Sequence, residues 1–372
     1  MKSRRIFVML STLCAMILSN AVMTTGVSAQ ADNKVSIMVG GLSKQIYLPA
    51  KLTEQLGYFK DEGLDVSLLD EGAGVDATDE MLAGRVDGVV GFYDHTIALQ
   101  GLGKLAEVVV QLDWVPGEVE LVSSKEADTI KSPADFKGKN LGVTDIGSST
   151  DFLTQYMAVK AGLQISDIHR IGVQAGDTFI AAMKQGKIDA GMTTEPTISR
   201  ELSSGDAKIL VDMRTAEGAR AVLGGTYPAA SVYMQADWVN AHKDLVQKVA
   251  NAFVKTMRWI HSHSASEIAD KMPVDYYVGN KDQYVQALIG GMGMYTPDGE
   301  MPLDGPPVCL AVLSTFNKDV QGKKIDLTMT YNMEFVDKAN AALGPLPTAA
   351  ATEGAPNYAP GAMAPTMAAT AQ

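Results

Sequence analysis

The chain has 372 residues, 46% of them hydrophobic and 20% charged, enough to build two ordinary domain cores. Its 43 acidic residues against 31 basic ones give a net charge of −12. That balance argues against nucleic acid or an anionic membrane surface as the partner.

In chain order, Lys2, Arg4 and Arg5 precede the apolar run Ile6–Leu18, and Val27-Ser28-Ala29 supplies the small residues of a cleavage site. Residues 1–29 therefore read as a secretory signal peptide, and Leu13 before Cys14 argues against a lipid anchor. Removing the leader leaves 28 basic against 43 acidic residues, a net charge of −15. Cys309 is then the single cysteine, so no internal disulfide is expected, and it reads as buried and inert. No later apolar run is long enough to span a membrane.

The body carries an internal repeat. Val35–Val39 is an apolar strand followed by Gly40-Gly41-Leu42-Ser43, a helical pattern to Phe59, and Gly63-Leu64-Asp65-Val66 turning into a second strand. The same order returns as strand Asn140–Thr144, loop Gly147–Thr150, a helix to Lys160, Gly162-Leu163 and a strand near His169–Val173. A second signature, Gly84-Arg85-Val86-Asp87 before a strand, recurs 102 residues later as Gly186-Lys187-Ile188-Asp189. Repeated strand–helix–strand units predict an α/β protein with two similar parallel-sheet lobes. Ligands bind beyond the carboxyl ends of such strands, so both lobes would face one cleft.

Within the second unit, Ser148, Ser149 and Thr150 stand at a helix start, where free N–H groups and hydroxyls can hold an anion. The alternative is that Ser148 or Ser149 simply caps its own helix. Further on, Ala236–His261 is a long amphipathic pattern with Leu245, Val249, Phe253, Met257 and Ile260 on one face. The last 28 residues, Pro345–Gln372, contain five Pro, ten Ala and one charge, a composition that predicts a disordered tail.

Gly57-Tyr58-Phe59-Lys60-Asp61-Glu62-Gly63-Leu64-Asp65-Val66 is similar to a segment near the start of exported nitrate/sulfonate/taurine-type solute-binding proteins. Gly84–Gly88, Asp135–Lys139, Gly147–Thr150 and Glu195-Pro196 match further segments of that family in order, so the resemblance runs from Val35 to Leu343. It implies a two-lobed periplasmic-binding-protein fold of type II, with a two-crossing hinge. It also implies a monomer in the periplasm that delivers a small-molecule ligand to an ABC permease and its ATPase. The boundaries that follow are a first lobe over 30–123, a second over 124–226, and a return over 227–343 that completes the first lobe and braces the hinge, with the tail from 344. No cofactor, no metal and no nucleic-acid partner is expected.

The loops at the strand ends supply the candidate contacts. The first lobe offers Ser43, Gln45 and Tyr47, then Tyr93, Asp94 and His95, then Trp114 as an aromatic wall with one polar edge. The second offers Ser148, Ser149, Thr150, Thr194 and Glu195, and the return crossing offers Tyr227. Tyr47 and Tyr227 stay open between ligand contact and hinge packing, and His95 reads first as a neutral loop cap. Asp94, Asp113 and Glu195 face the helix start with Lys44 as the one nearby cation, which serves bare nitrate poorly. A small organic anion or zwitterion, taurine- or alkanesulfonate-like or an amino-carboxylate, fits better, with a neutral aminopyrimidine of the thiamin-precursor class as the alternative. Some members of the same broad fold make the thiamin pyrimidine. They resemble one another in a cysteine-rich iron motif that Cys309 alone cannot supply, and the expectation is a binder, not an enzyme.

Overall fold

The computed structural model describes residues 33–351. The expected leader lies outside the described residues, as does the tail beyond Ala351. The strands are β1 (Lys34–Val39), β2 (Asp65–Asp70), β3 (Gly88–Phe92), β4 (Ala106–Gln111), β5 (Glu118–Ser123), β6 (Asn140–Val143), β7 (His169–Gly172), β8 (Ala190–Thr194), β9 (Ala207–Asp212) and β10 (Ala230–Gln235). They form two five-stranded sheets, ordered β2-β1-β3-β10-β4 and β7-β6-β8-β5-β9.

The two sheets share one topology. In each, the first strand pairs in parallel with its neighbours, β1 with β2 and β3, and β6 with β7 and β8. Each then takes one antiparallel strand from the segment that arrives from the other lobe: β10 between β3 and β4, and β5 between β8 and β9. The sheets are therefore mixed. The repeated Asp of the second signature does the same work in both lobes. Asp87 accepts from the Ser36 amide of β1 at 2.7 Å, and Asp189 accepts from the Asn140 amide of β6 at 2.8 Å. Each ties the strand that follows it to the first strand of its sheet.

The first crossing is the loop 112–117, six residues earlier than the sequence reading placed it. The sequence reading places Glu118–Ser123 in the first lobe, yet it pairs on both sides with strands of the second sheet. A one-dimensional pattern cannot tell a strand's sheet, because the pairing partners are distant in sequence. The outgoing and returning crossings run side by side. Ala229 N donates to Asp113 O and Tyr227 N to Trp114 O. A third segment braces them: Thr296 N donates to Leu112 O and Trp114 N to Met294 O. Gly117 sits here at φ +66°, and a Cβ would stand 2.6 Å from Met294 Sδ, so the close approach requires glycine.

The helix Lys243–His261 buries Val246, Val249, Phe253, Met257 and Ile260, while Leu245 is only half-buried. Phe253 packs edge-on against Phe59 at 5.5 Å between ring centres, a contact of residues 194 positions apart. Full burial of one such side chain is worth roughly 1.5–3 kcal/mol. The same helix holds the start of the tail. Arg258 donates to the carbonyls of Gly344 and Pro345, and Ala350 N donates to His261 O at 2.9 Å. The segment 345–351, expected to be without structure, is held to this helix by the Arg258 and Ala350 hydrogen bonds, although most of its residues are exposed.

Candidate functional site

Five strand-to-helix turns converge where the lobes meet, around a narrow cavity of about 10 Å³. Lys44, Ile46, Tyr47, Gly74 and His95 line it from the first lobe. Glu118, Thr144, Ser148, Ser149, Thr150 and Thr194 line it from the second. The topology explains the meeting: these residues follow, begin or end β1, β2, β3, β5, β6 and β8, whose ends point to the junction.

Beside the cavity, two contacts join the lobes. Ser149 Oγ donates to Asp94 Oδ1 at 2.8 Å, and the Gln45 amide donates to the Glu195 carbonyl at 3.0 Å. Asp94 is fully buried, and its second oxygen accepts from Tyr227 on the return crossing at 2.8 Å. Burial raises the Asp94 pKa, with the neighbouring His95, Ser149 and Tyr227 acting the other way. One carboxyl thus links both lobes and the hinge.

The lining holds one carboxyl, Glu118, and one lysine, Lys44, and the lysine is spoken for. Lys44 Nζ donates to Gly40 O at 2.6 Å and Gly72 O at 3.0 Å, and burial lowers its pKa to about 8 against the pull of Glu118. Glu118 is buried, and burial, then the charges of Asp94 and Glu120, hold its carboxyl well above the usual carboxylate range, with Lys44 opposing. Burial likewise lowers the His95 pKa, which keeps the imidazole neutral. Among the described residues, three buried polar atoms of this lining have no hydrogen-bond partner: His95 Nε2, Glu118 Oε2 and Thr194 Oγ1. Tyr47 is buried beside them, its ring edge-on to Phe92 at 6.3 Å.

The hydroxyl cluster divides its labour. Ser148 caps its helix, accepting from Asp151 N at 3.4 Å and donating to Asp145 O at 2.7 Å. Thr150 Oγ1 accepts from the Thr144 amide at 2.9 Å. Asp151 already occupies the helix start, accepting from Gly147 N at 2.8 Å and pairing with Arg170 at 2.6 Å. The positive end of that helix therefore has a resident carboxylate. Ser149 alone of the three reaches the opposite lobe.

Several expected contacts stand elsewhere. Ser43 is exposed. Tyr93 is buried behind the site with its hydroxyl on Thr330 Oγ1 at 2.6 Å. Trp114 turns to the hinge brace, its Nε1 donating to Gly293 O at 2.7 Å. Glu195 is consumed by Arg214 at 3.0 Å and by the amide and hydroxyl of Ser199. The Gln45 side chain donates to Tyr284 O at 3.1 Å and lies outside the lining. Glu118, Thr144, Gly74 and Ile46 were missed. Glu118 and Glu120 alternate with Val119 and Leu121 as a solvent face would, but that face is covered, by the cavity turns over Glu118 and by Thr154 at 3.4 Å from Glu120.

A family model described as NMT1/THI5 like matches residues 47–266. Among curated relatives, the 4-amino-5-hydroxymethyl-2-methylpyrimidine phosphate synthase THI13 of Saccharomyces cerevisiae is 28% identical over 169 residues, 44% of this chain and 47% of that protein. The chain spans about half the length of the curated relatives that it matches first. Among solved structures, a protein from Bordetella bronchiseptica RB50 is 36% identical with a TM-score of 0.81, covering 84% of this chain and 98% of that one. The periplasmic nitrate-binding protein NrtA from Synechocystis PCC 6803 is 12% identical with a TM-score of 0.69, covering 86% and 92%. This last likeness is one of fold: two α/β lobes of the periplasmic-binding-protein type.

Proposed function

This chain belongs to the NMT1/THI5-like family, and we propose that within it the protein is an exported solute-binding protein that closes over a small organic molecule. The proposed setting is the periplasm, where the loaded monomer would hand its ligand to an ABC permease driven by an ATPase.

One observation carries this reading. His95 Nε2 from one lobe, and Glu118 Oε2 and Thr194 Oγ1 from the other, are buried without partners around one cavity. Each such group costs about 1–3 kcal/mol when left unmade. A ligand that satisfies all three can do so only with both lobes closed on it, which is the behaviour of a hinged binder. A small zwitterion such as an amino-sulfonate or amino-carboxylate, or an aminopyrimidine, suits the donor and acceptor set; a bare inorganic anion would meet Glu118 and Asp94.

The curated relatives bear an enzyme's name. Two features support a binder here. Ser149 donates to Asp94 and not to His95, so the hydroxyl and imidazole are not arranged as nucleophile and base. Cys309 is buried against Pro228 O at 3.7 Å, away from the cavity lining. Calorimetry of the mature protein against taurine, glycine, nitrate and 4-aminopyrimidine, with mass analysis of the recovered ligand, tests the reading. Saturable binding with the ligand returned unchanged is expected. Conversion to a new compound would replace the binder by a synthase, and no heat with any class would sink the proposal.

A further inference from the structure

We infer that Glu118 reads an amino or amidine group of the ligand, so that the solutes taken are N–H-bearing organic molecules and not free anions. This rests on the binding role proposed above.

Glu118 opens β5 directly after the crossing and pairs with Thr194 in the β5–β8 ladder. Its position is thus fixed by backbone on the second lobe, at the lip of the cavity, and not by a mobile loop. Its Oε2 is buried and has no hydrogen-bond partner. The natural cation for it, Lys44, is instead held by the Gly40 and Gly72 carbonyls. The groups that surround Glu118 electrostatically are Asp94 and Glu120, both acidic, and Lys44. Of these, Asp94 already has both oxygens filled by Ser149 and Tyr227. What the cavity lacks at this point is a donor.

A ligand amine or ring amino group supplies that donor, and its positive charge favours the ionised form of a carboxyl that burial otherwise keeps protonated, so that the bond becomes charge-assisted. The unpartnered Thr194 hydroxyl and neutral His95 Nε2 then take or give the remaining hydrogen bonds of a polar ring or a short chain. Tyr47 offers an aromatic wall to the same cation or ring. An anion placed at Glu118 brings no N–H donor and keeps the carboxyl protonated, so it forgoes the ion pair that an amine gains, which is selection against the wrong solute.

Matched pairs test this directly: 4-aminopyrimidine against pyrimidine, and taurine against ethanesulfonate, each titrated by calorimetry into the mature protein and into Glu118→Gln. In wild type the amine-bearing member of a pair is expected to bind at least roughly tenfold tighter, as a hydrogen bond to a charged group implies. Glu118→Gln should lose most of that preference while keeping or raising the melting temperature. Thr194→Val, made alongside, should weaken both members and keep the preference. Equal binding of both members of a pair by wild type, or an unchanged preference in Glu118→Gln, overturns the inference while the binder reading stands. Absence of binding by all four probes removes both.

Discussion

Ser149 gives its hydroxyl to Asp94 across the lobe junction at 2.8 Å, while its neighbour Ser148 turns inward to cap the helix that both begin. Adjacent hydroxyls thus hold different jobs: one couples the lobes, the other satisfies a local amide.

That division sets the first expectation. Ser149→Ala leaves one Asp94 oxygen without its donor, and the closed, ligand-holding state weakens. Affinity for any bound ligand is expected to fall by about tenfold to a hundredfold, as loss of a bond to a carboxylate implies. Ser148→Ala should instead remove about 1 kcal/mol of folding stability with affinity nearly intact. Dissociation constants and urea midpoints on both variants decide the matter; two identical profiles would show that the division is wrong.

The pH dependence of stability has a defined sign. Burial holds the carboxyls of Glu118 and Glu120 well above their ordinary value of 4.5. The unfolded chain gives up these protons near 4.5 while the folded chain keeps them to higher pH. Between those points the folded state binds more protons, so the stability they supply is present in acid and lost as pH rises. His95 acts oppositely: kept neutral by burial, it disfavours the fold below its ordinary value of 6.5. Unfolding free energy of the ligand-free protein, compared with Glu118→Gln from pH 5 to 8, should show a shallower decline in the variant. A steeper or equal decline would contradict the assignment.

Arg214 holds Glu195 at 3.0 Å and Asp212 at 2.6 Å, with the Arg214 and Glu195 side chains 8% and 4% exposed. Arg214→Met strands a buried carboxylate, for which a cost of about 3–5 kcal/mol is expected. Adding Glu195→Gln to that variant should recover much of the loss, as measured by denaturant unfolding. A double variant no better than the single one would place the role of Arg214 elsewhere.

Truncation separates the two parts of the C-terminal segment. Ending the chain after Gly344 removes the Pro345 carbonyl from Arg258 and the Ala350 amide from His261 O. Two hydrogen bonds of ordinary net worth, roughly 0.5–1.5 kcal/mol each, predict a lowered melting temperature. Ending it after Ala351 keeps both bonds and should melt as the whole chain does. Equal melting of the two truncated forms would mean that the packed segment contributes nothing.

Much of the architecture was legible because it is local. Strand, loop and helix follow from apolar period, Gly stops and hydroxyl caps, and the recurrence of Gly84–Asp87 as Gly186–Asp189 announced two like lobes before any coordinate. Even the role of the repeated Asp is one of short reach, since Asp87 and Asp189 each fasten the strand they precede. The convergence of Tyr47, His95, Ser149 and Thr194 on one cavity was likewise implied by placing them at strand ends.

The sequence by itself determined the elements, their order and the loops that meet. Tertiary structure decided which side chains those loops point at each other. Trp114 looked like a cavity wall until Gly293, 179 residues away, claimed its indole N–H. Glu195 looked free until Arg214 reached it, and the helix start looked open to an anion until Asp151 filled it. Glu118 wrote itself as surface, alternating with Val119, and became the unpartnered carboxyl of the site because the turns of the other lobe cover its face of β5. Period and capping are properties of neighbours in the chain, whereas burial and partnership are set by pairings whose register no local pattern encodes.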